Sequence, residues 1–150
     1  MLIRKAAAAD IDDWAALRAE LWPEASADEH RQELAETSFD DDDRAVCFLA
    51  VDAAGAILAF AEASLRTDYV NGCETSPVAF LEGIYVRPRH RRTGLGQALS
   101  AAVEQWARAT GCTELASDAL LENTASHRFH GAIGFEETER VVYFRKQLGS

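Results

Sequence analysis

The sequence predicts an α/β chain of the α+β kind, one domain over residues 1–150, with helices packed on a central sheet. Three observations predict it. The stretch 78–99, VAFLEGIYVRPRHRRTGLGQAL, reads as a strand, a basic glycine loop and a helix start. The other apolar runs place short strands and amphipathic helices in the order β-α-α-β-β-β-α-β-α-β. Hydrophobic residues make up 48% of the 150 residues, enough for a real core.

Each element has a local reason. Leu2 to Lys5 is a short strand. Asp10 is placed to cap a helix whose apolar stripe is Ile11, Trp14, Leu17 and Leu21, and Trp22-Pro23 stops it. Ser26-x-x-Glu29 is a capping box for a second helix to about Ala35. Asp40 to Asp43 reads as a solvated acidic turn, because four consecutive acids cannot all face one ion. Ala45 to Val51 and Ile57 to Arg66 flank the turn Asp52–Gly55 as a hairpin. Thr67 to Pro77 is a polar loop long enough to line a site.

Val78 to Val86 is the central strand, interrupted by Glu82-Gly83 and ended by Pro88. Leu95, Leu99, Ala102, Val103 and Trp106 share one face of the helix that follows, and Gly111 closes it near Thr110. Glu114 to Asp118 is strand-like, and Asn123 to Gly131 is helical. Gly134-Phe135 restarts a strand, and Val141 to Lys146 is the last one.

Charge narrows the partners. There are 15 Lys and Arg against 25 Asp and Glu, a net charge of −10. That argues against general nucleic-acid binding and favours a cationic partner; simple solubility is the other reading. Three cysteines, Cys47, Cys73 and Cys112, lack metal-site spacing and fit free thiols in a reducing, cytoplasmic setting. The acid-bearing N-terminus is no signal peptide, and no apolar run approaches membrane-spanning length, so neither membrane nor export is expected.

The segment 87–96 carries the first chemistry. Arg87, Arg89, Arg91 and Arg92 precede Gly94 and Gly96 at a helix start. The first N–H groups of a helix have no internal partners, and its dipole is positive there. Glycines let a ligand approach the backbone, so the segment can cradle a pyrophosphate; an ordinary basic connection is the alternative. No Gly-Lys-Ser/Thr follows, as a Walker loop needs, and the third glycine of a dinucleotide fingerprint is missing.

Arg91-x-x-Gly94-x-Gly96, with Asn123 and Gly134-Phe135 downstream, resembles the GCN5-related N-acetyltransferase (GNAT) superfamily. The likeness spans essentially the whole chain and implies the GNAT fold: a mixed central sheet with splayed central strands, flanked by helices. More specific strings are Leu21-Trp22-Pro23, Asp68 to Cys73, Ser76-Pro77-Val78, Phe80 to Ile84, Ala116-Ser117-Asp118, Glu122-Asn123-Thr124 and Gly134 to Val141. These resemble the small, acidic bacterial aminoglycoside 6′-N-acetyltransferases, enzymes of antibiotic resistance. The resemblance implies acetyl-CoA as cosubstrate, a cationic aminoglycoside as acceptor, and a homodimer; His127 and His130 lie three apart on a helix without a third or fourth ligand, so no metal is expected. It matches Trp22, Tyr69, Glu82, Asp118 and Glu139 to acceptor contacts. It matches Ile84, Tyr85, Val86, Arg91, Arg92, Thr93, Gly94, Leu95, Gly96 and Asn123 to cofactor contacts.

The residues fit that chemistry on their own terms. A polycation needs several carboxylates, and Glu82, Asp118 and Glu139 come from three different elements. Tyr69 and Trp22 offer flat faces to sugar rings. Trp22 also reads as a helix-end core residue, and Glu139 as a solvated residue beside Arg140. Glu82 interrupts an apolar strand, where an unpaired carboxylate is costly, and Gly83 suggests a bulge that leaves N–H groups open. In the resembling family such an N–H, here that of Val86, polarises the thioester carbonyl.

Glu82 is the candidate base, directly or through water. A conflict attends that role, because clustered carboxylates also favour the protonated amine. Many GNAT members place a leaving-group tyrosine seven residues after the asparagine; here that position is His130, able to donate near neutral pH, or simply a helix-face histidine. Cys73 lacks a visible base partner and reads as packing. The other functions compatible with the motifs are acetylation of a polyamine or protein amine, and coenzyme A binding without turnover.

Overall fold

The computed structural model describes residues 1–36 and 44–149, so the acidic run Asp40–Asp43 lies outside the described residues. The chain divides into two compact units, Met1–Asp118 and the segment from Ala119 onward. The first unit holds β1 (Leu2–Lys5), α1 (Ile11–Leu21), α2 (Ala27–Glu36), β2 (Ala45–Val51), β3 (Ile57–Arg66), β4 (Val78–Val86), α3 (Leu95–Ala109) and β5 (Leu115–Ser117). The second holds α4 (Thr124–Ala132).

The five strands form one mixed sheet in the order β1-β2-β3-β4-β5. The first four pair antiparallel, and β5 runs parallel to β4. β2 and β3 form the expected hairpin, with the Asp52 carboxylate accepting from the N–H groups of Ala54 and Ala56. Residues 57–63 of β3 are buried throughout, because this strand is covered on both faces. Trp14, Leu17 and Leu34 from α1 and α2 pack with Cys47, Leu49, Val51, Ile57 and Phe60. Helix α3 lays Leu95, Leu99, Val103 and Trp106 against β2, β3 and β4.

Two local expectations hold in detail. Ser26 and Glu29 form a reciprocal capping box at 3.1 Å each way, and Gly111 follows α3 at φ +91°. One is corrected. Asp10 does not cap α1: its carboxylate takes two bonds from Arg4, at 2.7 and 2.9 Å, and one from the Ala7 N–H. A charged donor fork outbids an uncharged helix end.

The C-terminal strands expected at Gly134-Phe135 and Val141–Lys146 are absent: residues 133–149 carry neither helix nor strand. The β-prone apolar run Val141–Phe144 marks a surface that wants burial, but a strand exists only where another strand supplies the ladder. Among the described residues, no helix is long and apolar enough to cross a membrane.

Candidate active site

The site begins with a defect in the sheet. Along β3 and β4, Glu62 pairs with Gly83 and Ala63 with Leu81, so Glu82 is the extra residue of a bulge. A bulge turns its residue out of the ladder, and Glu82 is accordingly exposed. Its Oε1 accepts from Ser64 Oγ at 2.6 Å, and Arg66 Nη2 lies 3.0 Å from each carboxylate oxygen. Sequence reasoning treated Glu82 as the costly carboxylate inside an apolar strand. That description belongs to Glu62, 5% exposed in β3.

Glu62 meets Arg18 Nε at 2.7 Å and Arg18 Nη2, and it also accepts from Trp14 Nε1 at 3.3 Å. Arg18, from α1, also reaches Glu33 at 3.3 Å. This buried pair was missed, although a lone Glu in the run ILAFAEASL was the available signal.

Above that pair sits Trp22, at the C-terminal end of α1. Its ring lies 5.4 Å from the Arg18 guanidinium and edge-on to Phe60 at 6.1 Å. His30 Nε2 from α2 donates to the Trp22 carbonyl, 3.0 Å away. The indole covers Gly83 so closely that a Cβ there would fall 2.4 Å from its Cζ2. Trp22 is half-buried on the core, as the helix-end reading expects, and its ring also lies against the bulge beside Glu82.

Beyond the bulge, β4 loses its neighbour on one side. β5 pairs only with Ala79–Leu81 and does not follow β4 through residues 82–86. The Arg87 N–H bonds to the Leu58 carbonyl of β3 at 3.0 Å. Alternation along an antiparallel strand then aims the Val86 N–H at the opposite, splayed edge. The Val86 carbonyl faces that way too, accepting Arg91 Nε at 2.9 Å. The expected splay is therefore present, and Ile84, Tyr85 and Val86 line its β4 side.

The basic loop follows directly. Arg91 holds Val86 and lies 5.4 Å from the Tyr85 ring; Arg92, at φ +62°, sits in the left-handed region that costs a non-glycine residue energy. Thr93 Oγ1 donates to the His90 carbonyl. Gly94 adopts φ +85° at the N-cap of α3 and has nothing within 4 Å of a notional Cβ. The first helical bond runs from Ala98 N–H to Gly94, so the N–H groups of Leu95, Gly96 and Gln97 lie ahead of it. Exposed Arg89, Arg91, Arg92 and Thr93 flank this end, whereas Leu95 and Gly96 are buried. Open space, donors and cations suit a pyrophosphate.

The loop 67–77 is clasped to the start of β5. Glu114 accepts from the N–H groups of Glu74 and Thr75 at 3.0 and 2.8 Å, and from the Thr75 hydroxyl. The bond from Thr75, aided by those backbone donors, holds the Glu114 pKa below its ordinary value. Burial, then the Glu114 charge, pushes the Cys73 thiol up, which opposes a thiolate nucleophile there. Tyr69 projects from this loop, 76% exposed, and Asp118 is exposed just past β5.

In the second unit, Asn123 caps α4 by accepting from the Ser126 N–H at 3.1 Å, which leaves its amide NH₂ for a ligand. His130 Nδ1 lies 2.7 Å from the Ser126 carbonyl, a contact that puts the proton on Nδ1 and the lone pair on Nε2. Its ring meets Phe135 at 5.2 Å. Glu139 is exposed in the segment that forms no strand, near the ion pair Arg140–Glu137. Among the described residues, no three His, Cys, Asp or Glu side chains are grouped to hold a metal ion.

Residues 11–135 match the family model of the acetyltransferase (GNAT) family. The chain is 53% identical to an aminoglycoside N(6′)-acetyltransferase type 1 of Serratia marcescens over 93% of this chain and 94% of that one. The corresponding protein of Stenotrophomonas maltophilia is 54% identical, covering 97% and 93% of the two chains. Among solved structures, the unliganded aminoglycoside 6′-N-acetyltransferase of Acinetobacter haemolyticus superimposes with a TM-score of 0.90 at 46% identity, covering 99% and 100% of the chains. AAC(6′)-Iy, in complex with the bisubstrate analogue CoA-S-monomethyl-acetylneamine, superimposes with a TM-score of 0.89 at 44% identity over 97% of each chain.

Proposed function

The chain belongs to the acetyltransferase (GNAT) family, and from that premise we propose that it is an acetyl-CoA-dependent aminoglycoside 6′-N-acetyltransferase whose whole length forms one catalytic domain. The observation that carries the reading is the juxtaposition along β4: an outward carboxylate at Glu82, an open N–H at Val86, and the Gly94 helix start directly after. Relatives at 53 and 54% identity carry that activity in their names, and a structural relative holds a CoA–acetylneamine analogue.

Acetyl-CoA supplies an acetyl thioester, whose C–S bond breaks as the acceptor amine forms its C–N bond. The groups that suit its pyrophosphate are Arg91, Arg92, Thr93 and the N–H groups of Leu95 and Gly96; Ile84, Tyr85, Val86 and Asn123 suit the arm between. The Val86 N–H stabilises negative charge on the carbonyl oxygen. Trp22, Tyr69, Glu82, Asp118 and Glu139 bind the polycation, and Glu82 or a water on it takes the amine proton. His130 returns a proton to the departing thiolate; the Nδ1–carbonyl contact leaves Nε2 as the nitrogen that donates in the imidazolium. Much of the rate comes from holding amine and thioester together.

A homodimer in the cytoplasm completes the proposal. Val142, Tyr143 and Phe144 are 77, 84 and 92% exposed in sequence, an apolar run that a second copy would cover. Sedimentation equilibrium at micromolar protein should return twice the chain mass.

The function is tested by thiol release from acetyl-CoA with kanamycin, tobramycin, spermidine, a lysine-rich peptide and a 6′-hydroxyl aminoglycoside. Turnover confined to the 6′-amino drugs supports the proposal. Turnover only on spermidine or peptide moves the activity to another amine, and coenzyme A binding without turnover overturns the enzyme reading. Expression should also raise the tobramycin concentration a susceptible strain survives.

A further inference from the structure

The acceptor carboxylate does not stand alone. Ser64 and Arg66 alternate along β3, so both side chains share the face onto which the bulge turns Glu82. One terminal nitrogen of Arg66 spans both Glu82 oxygens at 3.0 Å, and Ser64 Oγ reaches Oε1 at 2.6 Å. The guanidinium carbon lies over Phe80, 3.5 Å from its ring centre, so aromatic face and carboxylate together hold the cation. The side chains of Arg66 and Glu82 remain 43 and 35% exposed, which keeps the pair open to an acceptor.

That pairing bears on a chemical conflict. A lone carboxylate binds an ammonium well, but by doing so it stabilises the protonated form, which has no lone pair for attack. A carboxylate already paired with a fixed guanidinium carries little net charge, yet it still accepts hydrogen bonds. Oε2 has only Arg66 as a described partner, and a carboxylate oxygen accepts two bonds.

We propose that Arg66 sets the charge at Glu82, so that the acceptor amine is held by a hydrogen bond and sheds its proton to water within the site. This rests on the proposed function and adds a residue that governs which protonation state of the acceptor is productive. The other charges nearby do not replace it. From α1, on this same face of the sheet, Arg18 is taken up by Glu62 and Glu33. The loop adds the carboxylates Asp68 and Glu74 and the Cys73 thiol, whose pKa burial raises, and no cation. At the two ends of β5, Glu114 is bound by the loop and Asp118 is an exposed carboxylate.

The test is kcat against pH with tobramycin at saturating acetyl-CoA, since kcat reports ionisations in the bound complex. Arg66→Met keeps an apolar stem on Phe80 and removes the charge. Its rising limb should move up by about one pH unit, while the tobramycin KM falls several-fold and the acetyl-CoA KM stays put. Arg66→Lys should keep the limb near the wild-type position, and in a Glu82→Gln background Arg66→Met should move it no further. Arg66→Gln repeats the measurement should Arg66→Met lose cooperative unfolding. An unmoved limb in Arg66→Met, or an equal movement in Arg66→Lys, overturns the inference. If Glu82→Gln alone leaves the tobramycin KM unchanged, the assignment of Glu82 to the acceptor fails first, and the role of Arg66 with it.

Discussion

Gly83→Ala tests whether the bulge and Trp22 form one unit. The added Cβ would lie 2.4 and 2.7 Å from two ring carbons of Trp22 and 3.0 Å from Leu21 Cδ2. Carbon atoms rest about 3.5–4.0 Å apart, so the ring must recede by roughly 1 Å. Arg18 at 5.4 Å, Phe60 at 6.1 Å and His30 at 6.3 Å surround the indole and resist that movement. Overpacking of this kind costs about 1–3 kcal/mol. For a chain of this length that is a fall in Tm of roughly 2–12 °C.

The sign is diagnostic, because Gly→Ala in compatible extended backbone would instead stabilise by about 0.4–1 kcal/mol. The assay is a thermal melt beside the acceptor KM, which should rise as Trp22 leaves its place, with acetyl-CoA KM unchanged. In a Trp22→Ala background the same substitution should become neutral or stabilising. A Gly83→Ala protein that melts at or above the parent temperature would refute the packing argument.

Three further outcomes follow from the geometry. Arg18→Met leaves the Glu62 carboxylate buried without its cation and should cost about 3–5 kcal/mol in urea unfolding; Arg18→Met with Glu62→Leu should recover most of it, and a double variant as weak as the single would contradict the pairing. Asp118→Asn should raise the acceptor KM about three- to fivefold, the scale of one exposed charge contact, and an equal rise in acetyl-CoA KM would remove Asp118 from the acceptor site. Asp10 has its pKa lowered, chiefly by the hydrogen bonds from Arg4. Its stabilisation is therefore present above the unfolded carboxylate pKa and lost as pH falls through the lower folded value. The parent Tm should drop more steeply than that of Asp10→Asn below about pH 4, and parallel curves would count against it.

Much of the fold was legible because its signals are local. The capping box at Ser26, the Asp52–Gly55 turn, the end of β4 before Pro88 and the stripe of α3 each depend on neighbours within a few residues. The same holds for the loop before α3, where glycines, arginines and a helix start are contiguous. Glu82-Gly83 announced a bulge by composition, and the register bears it out.

Tertiary structure decided whatever depends on partners far apart in sequence. Two carboxylates interrupt apolar strands, Glu62 and Glu82, and the chain alone could not say which is buried. The β4 bulge turns one outward, while α1 brings Arg18 to the other across 44 positions. Asp10 was read as a cap until the fold offered it Arg4, a stronger donor than a helix end. Residues 141–144 have a strand's composition and form no strand, because composition is a property of one segment and a ladder is a property of two. Sequence alone therefore determined the glycine and arginine loop before α3 and the order of the first nine elements. The neighbours of each charge, and hence the pairing of Glu82 with Arg66, arose only when distant strands were set side by side.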